Sequence, residues 1–335
     1  MKTISDVAKA ANSSISTVSK VFNGYPDVSE NTRERILGIA RELNYLPNRS
    51  AAQLVRGKAD TVCLVLSRLG EKATKEEYLL GLLNGVYKEA DKNRFRVIMF
   101  TPEAIMRNNV NFVQFRQSNS LLGFIIHGLD CGMPEIEHLI ASEVPSVFID
   151  ANITGNKTAM VASANEQAAY DTVEMLHGLG HRNIVFVSGN ESVYVAAERL
   201  AGYRRGIQEF GLESQIVTSN FSYEDAYNNV KSHILEKPDT TAIFCASDHM
   251  AIGALNACRD LNFRVPNDIS IVGFDDMSFA EILRPRLSTV AQDFYEMGIT
   301  ATKVLLDIAQ NKPFQAQNIV AHQMMVRDSV AKNTR

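Results

Sequence analysis

At 335 residues the chain exceeds a lone small module and is long enough for two or three domains, on a prior of about 100–200 residues each. Hydrophobic residues make up 45% and charged residues 21%, which excludes disorder, collagen and low-complexity repeats as the main state. The net charge of −4 hides an asymmetry: residues 1–58 hold nine Lys and Arg against five acids, so a head of +4 precedes a body of −8, and only the head suits a polyanion.

The N-terminus reaches Asp6 before any apolar run and does not read as a signal peptide, so the expected location is the cytoplasm. No apolar run approaches the roughly 18 residues of a membrane span. Residues 1–46 are predicted to form three short helices. Thr3 or Ser5 caps a first helix bearing Val7, Ala8 and Ala11; Ser14 caps a second bearing Val18, Val21 and Phe22; Ser29 caps a third bearing Ile36, Ile39, Ala40 and Leu43. Only Asn12-Ser13 separates the first two, and Asn tolerates the left-handed conformation that a sharp helix-to-helix turn demands. This is a helix-turn-helix signal. Residues 47–59 follow as a polar, Ala-rich linker, able to form a short hinge helix only when docked.

From residue 60 to 335 the pattern becomes strands alternating with helices. Apolar, β-branched runs lie at Thr61–Leu66, Arg96–Phe100, Gly123–His127, Ser146–Asp150, Asn183–Ser188, Thr241–Ala246 and Ser270–Phe274. Amphipathic stretches lie between them, at Tyr78–Ala90, Gln167–Gly178, Arg199–Glu209, Ala226–Leu235 and Met250–Leu261. Nearly continuous apolar strands separated by helices imply parallel sheets covered on both faces, and a body of this length implies two lobes. Cys63, Cys131, Cys245 and Cys258 lack metal-ligand spacing, and three sit in or beside apolar runs, where buried thiols are expected.

Several segments together resemble the LacI/GalR family of bacterial transcription regulators. In the head they are Thr3-Ile4-Ser5-Asp6-Val7-Ala8, Thr17-Val18-Ser19, Val21-Phe22-Asn23, Leu43-Asn44-Tyr45 and Pro47-Asn48. In the body they are Ser247-Asp248, Ala251-Ile252-Gly253-Ala254-Leu255, Val265-Pro266-Asn267-Asp268-Ile269-Ser270, Gly273-Phe274-Asp275-Asp276 and Arg284-Pro285-Arg286-Leu287-Ser288-Thr289-Val290. The resemblance implies an all-α helix-turn-helix headpiece followed by an α/β, two-lobed core like that of periplasmic sugar-binding proteins. Lobe 1 would take about 60–160 and 291–321, and lobe 2 about 161–290 and 322–330. The three crossovers are expected near Thr158–Ser163, Thr289–Gln292 and Val320–Gln323.

On that resemblance the second helix enters the major groove of double-stranded DNA, with Ile15, Ser16 and Lys20 reading bases. Lys20 can donate to guanine, Ile15 can touch a thymine methyl, and Ser16 can bond either kind of base edge. Ser14, Thr17, Asn23 and Asn48 would contact phosphates, and Leu54 would be a wedge in the minor groove. The effector pocket is expected at Asp275, Arg199 and Asp248, with Asp150, Phe221 and Tyr78 as further candidates; Asp248, opening a helix, is equally readable as its cap. Carboxylate, guanidinium and an aromatic face suit a sugar or sugar phosphate.

The implied protein is a homodimeric repressor on a pseudo-palindromic operator, with no cofactor, metal or membrane partner. A purine or nucleoside effector and a protein corepressor are the alternatives within that class. Two features depart from the family pattern: Asn12-Ser13 replaces the usual Gly-Val in the turn, and Ala52 stands where many members carry Arg. A non-regulatory sugar-binding protein or an enzyme on the same core is the alternative from another class. It is opposed by the helix-turn-helix and by the lack of nucleophile-elbow, Walker, dinucleotide or metal-ligand motifs.

Overall fold

The computed structural model describes residues 3–22, 25, 27–43, 59–67, 76–107, 110–129 and 132–334. The chain divides into two compact units, Met1–Ala59 and Asp60–Arg335.

In the first unit α1 (Ile4–Ala10) begins at a capping box, in which Thr3 Oγ1 accepts from the Asp6 amide and the Asp6 carboxylate accepts from the Thr3 amide. Asn12 takes the left-handed conformation, φ +43°, and turns the chain into α2 (Ile15–Phe22). Ser14 Oγ accepts from the Thr17 amide at 3.0 Å and caps that helix. The third helix, α3 (Glu30–Glu42), lays Ile36 and Ala40 on Val7, Ala8, Ala11, Val18 and Val21 to close a small core. Arg33 donates to the carbonyls of Tyr25, at 2.7 Å, and Val21, at 3.3 Å, tying α3 to the end of α2. Of the DNA-contact candidates, Asn23, Asn48 and Leu54 lie outside the described residues, as does the linker segment 47–58.

Among the described residues the second unit holds two six-stranded sheets. In chain order the first contributes β1 (Thr61–Leu66), α4 (Glu76–Lys92), β2 (Arg96–Phe100), α5 (Pro102–Ile105), α6 (Phe112–Ser118), β3 (Leu121–His127), α7 (Pro134–Ala141), β4 (Ser146–Ile149) and β5 (Thr158–Ser163). The second contributes α8 (Asn165–Gly178), β6 (Ile184–Ser188), α9 (Tyr194–Glu209), β7 (Gln215–Thr218), α10 (Tyr223–Glu236), β8 (Ala242–Cys245), α11 (Asp248–Asp260), β9 (Ser270–Asp275), α12 (Phe279–Ile282) and β10 (Ser288–Gln292). The chain then returns to the first sheet through α13 (Phe294–Ala309) and β11 (Gln317–Val320), and ends in the second with β12 (His322–Met325).

The strand orders are β11-β5-β4-β3-β1-β2 and β12-β10-β9-β8-β6-β7. Among the described residues every pairing between these strands is parallel except β10 with β12. In β1, Val62 and Leu64 face the core under α4 and α13, whereas Cys63 and Val65 join Phe112 and Phe124 on the other face. Burial on both faces explains why the central strands are unbroken apolar runs.

The segments expected to hold crossovers, Thr158–Ser163 and Thr289–Gln292, fall within strands β5 and β10, and the chain leaves its sheet directly after each. Strands β7, β11 and β12 have no counterpart among the apolar runs, because each is four residues long and partly exposed. Cys63, Cys245 and Cys258 are buried free thiols, whereas Cys131 lies outside the described residues.

Helices α4 and α13 cross with almost no space between backbones. A Cβ on Gly298 would run into the Leu82 carbonyl, and one on Gly85 into the Tyr295 carbonyl. Gly298→Ala is therefore expected to cost about 1–3 kcal/mol, the usual penalty of overpacking. Urea denaturation followed by circular dichroism would read this as a lower midpoint; an unchanged midpoint would mean that the crossing relaxes freely.

Candidate functional site

Two groups of candidate residues occupy separate units. In the head, α2 buries Val18 and Val21 and leaves the opposite side open. Ile15 is 51% exposed there, and Ser16 and Lys20 are exposed beside it. Ser14 Oγ is engaged with Ser16 Oγ at 2.7 Å and Thr17 Oγ1 at 2.8 Å, so the start of the helix is a small hydroxyl cluster. The Lys20 ammonium bonds the Asp27 carboxylate at 2.5 Å, and that bond holds Asp27 below its ordinary pKa. Both partners are solvent-exposed, and an exposed pair of this kind is easily exchanged for another acceptor.

In the body, the candidate side chains gather where strands of both sheets end. Asp150 follows β4, Asp275 closes β9, His127 closes β3 and Gln292 closes β10. The carboxyl ends of parallel strands are where open α/β sheets present side chains to ligands. Asp150 has φ +56°, Phe221 +58° and Asp275 +120°, regions that non-glycine residues seldom occupy and that cluster at functional sites.

Arg199, from α9, is 3% exposed. Its Nε donates to Asn165 Oδ1 at 2.8 Å and its Nη1 to the Ala246 carbonyl at 2.6 Å. The same Nη1 lies 3.6 Å from Asp275 Oδ1, and the guanidinium stacks 3.7 Å from the Phe274 ring centroid. Burial lowers the Arg199 pKa, while Asp275, Asp150 and Asp248 pull it back.

Asp275 also accepts from Gln292 Nε2 at 2.6 Å. Burial pushes its pKa up to about 6 against the pull of Arg199 and Gln292. Asp150 is pushed up to about 6 as well, by burial first and by Asp275, with Arg199 and the Ser163 amide opposing. Its Oδ1 is buried without a hydrogen-bond partner, and its Oδ2 is 4.0 Å from His127 Nε2. Tyr78 packs its ring 5.4 Å from both His127 and Phe294, and burial together with Asp150 and Asp275 raises its pKa to about 12. Asp150, Arg199, Asp275 and Tyr78 thus form one electrostatically connected group.

The expectation for Asp248 is corrected. Its side chain is fully buried, with Oδ2 accepting from the Met277 amide at 2.8 Å and Oδ1 from the Thr289 hydroxyl at 2.5 Å. Burial and Asp275 hold its pKa well above the usual range. It is not the cap of α11 either, because Ser247 Oγ accepts from the Met250 amide. Asp248 braces the loop after β9 from behind. Phe221 is set by another contact, its ring filling the space over Gly189. His127, Asn165 and Gln292 escape a reading of the sequence because each is a lone polar residue at an element's end.

Residues 3–48 match the family described as bacterial regulatory proteins, lacI family, and residues 173–330 match the periplasmic binding protein-like domain. The chain is 32% identical to catabolite control protein A of Priestia megaterium over 307 residues, 90% of this chain and 91% of that protein. It is 32% identical to the ribose operon repressor of Haemophilus influenzae over 321 residues, 93% of each. It is similar in structure to the lac repressor dimer bound to operator and the anti-inducer ONPF, with a TM-score of 0.84, 27% identity, and coverage of 98% of this chain and 99% of that one.

A carboxyl whose pKa is raised on folding stabilises the fold below its unfolded pKa, and that contribution is lost as pH rises through the folded value. With Asp150 raised from 3.8 to about 6, its penalty is absent well below pH 3.8, grows between the two values and is complete above about 6. Asp150→Asn is therefore expected to raise the thermal midpoint of the ligand-free protein at pH 7.5, with the gain shrinking towards pH 4. Differential scanning fluorimetry across that range checks it; a lower midpoint at pH 7.5 would mean that the charge is stabilised.

Proposed function

Because the chain belongs to the LacI/GalR family of DNA-binding transcription regulators, we propose that it is a homodimeric repressor whose hold on a pseudo-palindromic operator is set by a carbohydrate bound between the two sheets. The protein is a sequence-specific DNA-binding regulator with an effector-binding core, and its relatives are transcription regulators, not enzymes. Among the described residues no helix is long and apolar enough to cross a membrane.

The effector reading is carried by the convergence of Asp150, Arg199, Asp275 and Tyr78 at strand ends of both sheets. Carboxylates accept from hydroxyls, a guanidinium donates a fork, and an aromatic ring packs on the apolar face of a sugar. The ribose operon repressor among the relatives supports the same class. A ligand gripped from both sheets favours whichever lobe arrangement fits it, and it shifts the regulator's state by its differential affinity for the two.

For the head, the exposed Ile15, Ser16 and Lys20 face supports base reading, and Ser14 and Thr17 at the start of α2 support phosphate contact. Asn23 and Asn48 as further phosphate contacts, and Leu54 as a minor-groove wedge, rest on the sequence alone. A C2 dimer presents two such helices to two half-sites.

The test starts from operator half-sites selected in vitro with the full chain, followed by fluorescence anisotropy of wild type and Lys20→Ala. Lys20→Ala is expected to relax discrimination at one base pair per half-site by about 1–3 kcal/mol. Uniform weakening across sequences would make Lys20 a phosphate contact, and failure to select any sequence would overturn the regulator's proposed role at an operator.

A further inference from the structure

The chain passes between the two sheets three times, and these connections are bonded to one another. The Ala164 amide, between β5 and α8, donates to the Val320 carbonyl at 3.0 Å, and Gln292 pairs with His322 where β10 meets β12. A contact outside these connections also bridges the lobes. The Glu77 carboxylate, in the first turn of α4, accepts from the Ser278 amide through both oxygens at 3.0 Å and from the Ser278 hydroxyl at 2.9 Å.

Each half of this contact sits on a fixed backbone. On the second sheet's side, Met277 donates its amide to the buried Asp248 at 2.8 Å, and Arg327 holds Asp276 at 2.7 Å and Glu281 at 3.2 Å, one before Ser278 and one after it. On the first sheet's side, Tyr78, next to Glu77, packs its ring 5.4 Å from those of His127 and Phe294. One turn later, a Cβ on Gly81 would stand 3.1 Å from the Phe294 Cβ, so this end of α4 lies tight against the start of α13. Glu77 and Ser278 themselves are exposed. A charge-assisted bond between two preset groups favours the lobe arrangement in which it forms. Water competes for both partners, so the bond opens and recloses without unfolding either lobe.

We propose that Glu77 and Ser278 form a latch that holds the lobes closed at this edge in the ligand-free protein, and that operator affinity depends on whether the latch is made. This rests on the chain's being an operator-binding repressor and not on the identity of its effector. Ser278 offers a way to remove the latch from the second sheet's side. Its φ of −53° suits proline, Met277 before it lies outside any helix, and its amide is given to Glu77. Ser278→Pro therefore deletes both donors and leaves the backbone where it is. It also leaves untouched residues 68–75, which lead into Glu77 and lie outside the described residues.

The test has two arms, the first needing no operator. The ligand-free full chain carrying Glu77→Cys and Ser278→Cys is treated with a short bis-methanethiosulfonate reagent, with wild type as the control for the native cysteines. A link between the two introduced thiols within one chain is expected in most of the protein. Its absence, or links only between chains on denaturing electrophoresis, would overturn the closed contact. The second arm measures affinity for the operator selected in vitro, by fluorescence anisotropy without effector. Glu77→Ala and Ser278→Pro are each expected to change it by about threefold or more in the same direction, the size of an exposed charged contact. The double variant should go no further than either single one, because both remove the same bond. Should Ser278→Pro fail to fold by circular dichroism, Glu77→Ala, at an exposed side chain, decides alone. Unchanged affinity, or effects that multiply in the double variant, would overturn the latch. Failure to select any operator would remove the repressor reading and the latch's bearing on DNA with it, while the linking arm still decides whether the lobes are held closed.

Discussion

A guanidinium buried to 3% exposure is the constraint around which the second sheet's side of the cleft is organised. An isolated charge in that position would be prohibitive, and Arg199 is tolerated because its Nε and Nη1 are hydrogen-bonded, Asp275 lies beside it and its plane stacks on Phe274. Its four partners come from three places: Asn165 at the start of α8, the Ala246 carbonyl after β8, and Phe274 and Asp275 at the end of β9. One side chain therefore registers a helix start and two strand ends against α9. It also sets where Asp275 presents its carboxylate.

Behind this cluster a second buried polar group holds the loop that follows β9. Asp248 bridges the Met277 amide and the Thr289 hydroxyl, and Gly273 is glycine because a Cβ there would enter the Asp248 carboxylate. The first sheet answers with Asp150, His127 and Tyr78, and the two sides touch at the rim, where Glu77 accepts from the Ser278 amide and hydroxyl. The second sheet thus brings Arg199 and Asp248 with hydrogen bonds already made, whereas Asp150 on the first sheet and Gln292 on the second each keep a buried oxygen without a hydrogen-bond partner. Unmet capacity at the meeting of two layers is how binding energy can be directed into a change of lobe arrangement, because only a ligand spanning both sides satisfies it.

The central strands were legible because burial on both faces demands continuous β-branched runs, as at Thr61–Leu66 and Ser270–Phe274. The helix-turn-helix was legible because Thr3, Asn12 and Ser14 act locally, within a few residues of where they sit. Strands β7, β11 and β12 were not, since their pairing comes from distant neighbours and not from their own pattern. The same physics explains the site. Arg199 and Asp275 sit within sequence motifs, but Asn165, His127 and Gln292 acquire meaning only when strand ends far apart in the chain converge. Asp248 misled for the converse reason: an acid opening a helix looks like a cap or a ligand contact, and only its burial reveals a brace.

The dependence on Arg199 is tested most directly by a double-mutant cycle with Asp275, using Arg199→Met, Asp275→Asn and the double variant in urea denaturation of the ligand-free protein. Each single change strands a buried partner, so the double variant is expected to lose less than the sum of the two, with a coupling of about 1 kcal/mol or more. Additive losses within about 0.5 kcal/mol would show that the two residues act independently and that Arg199 does not organise this side of the cleft.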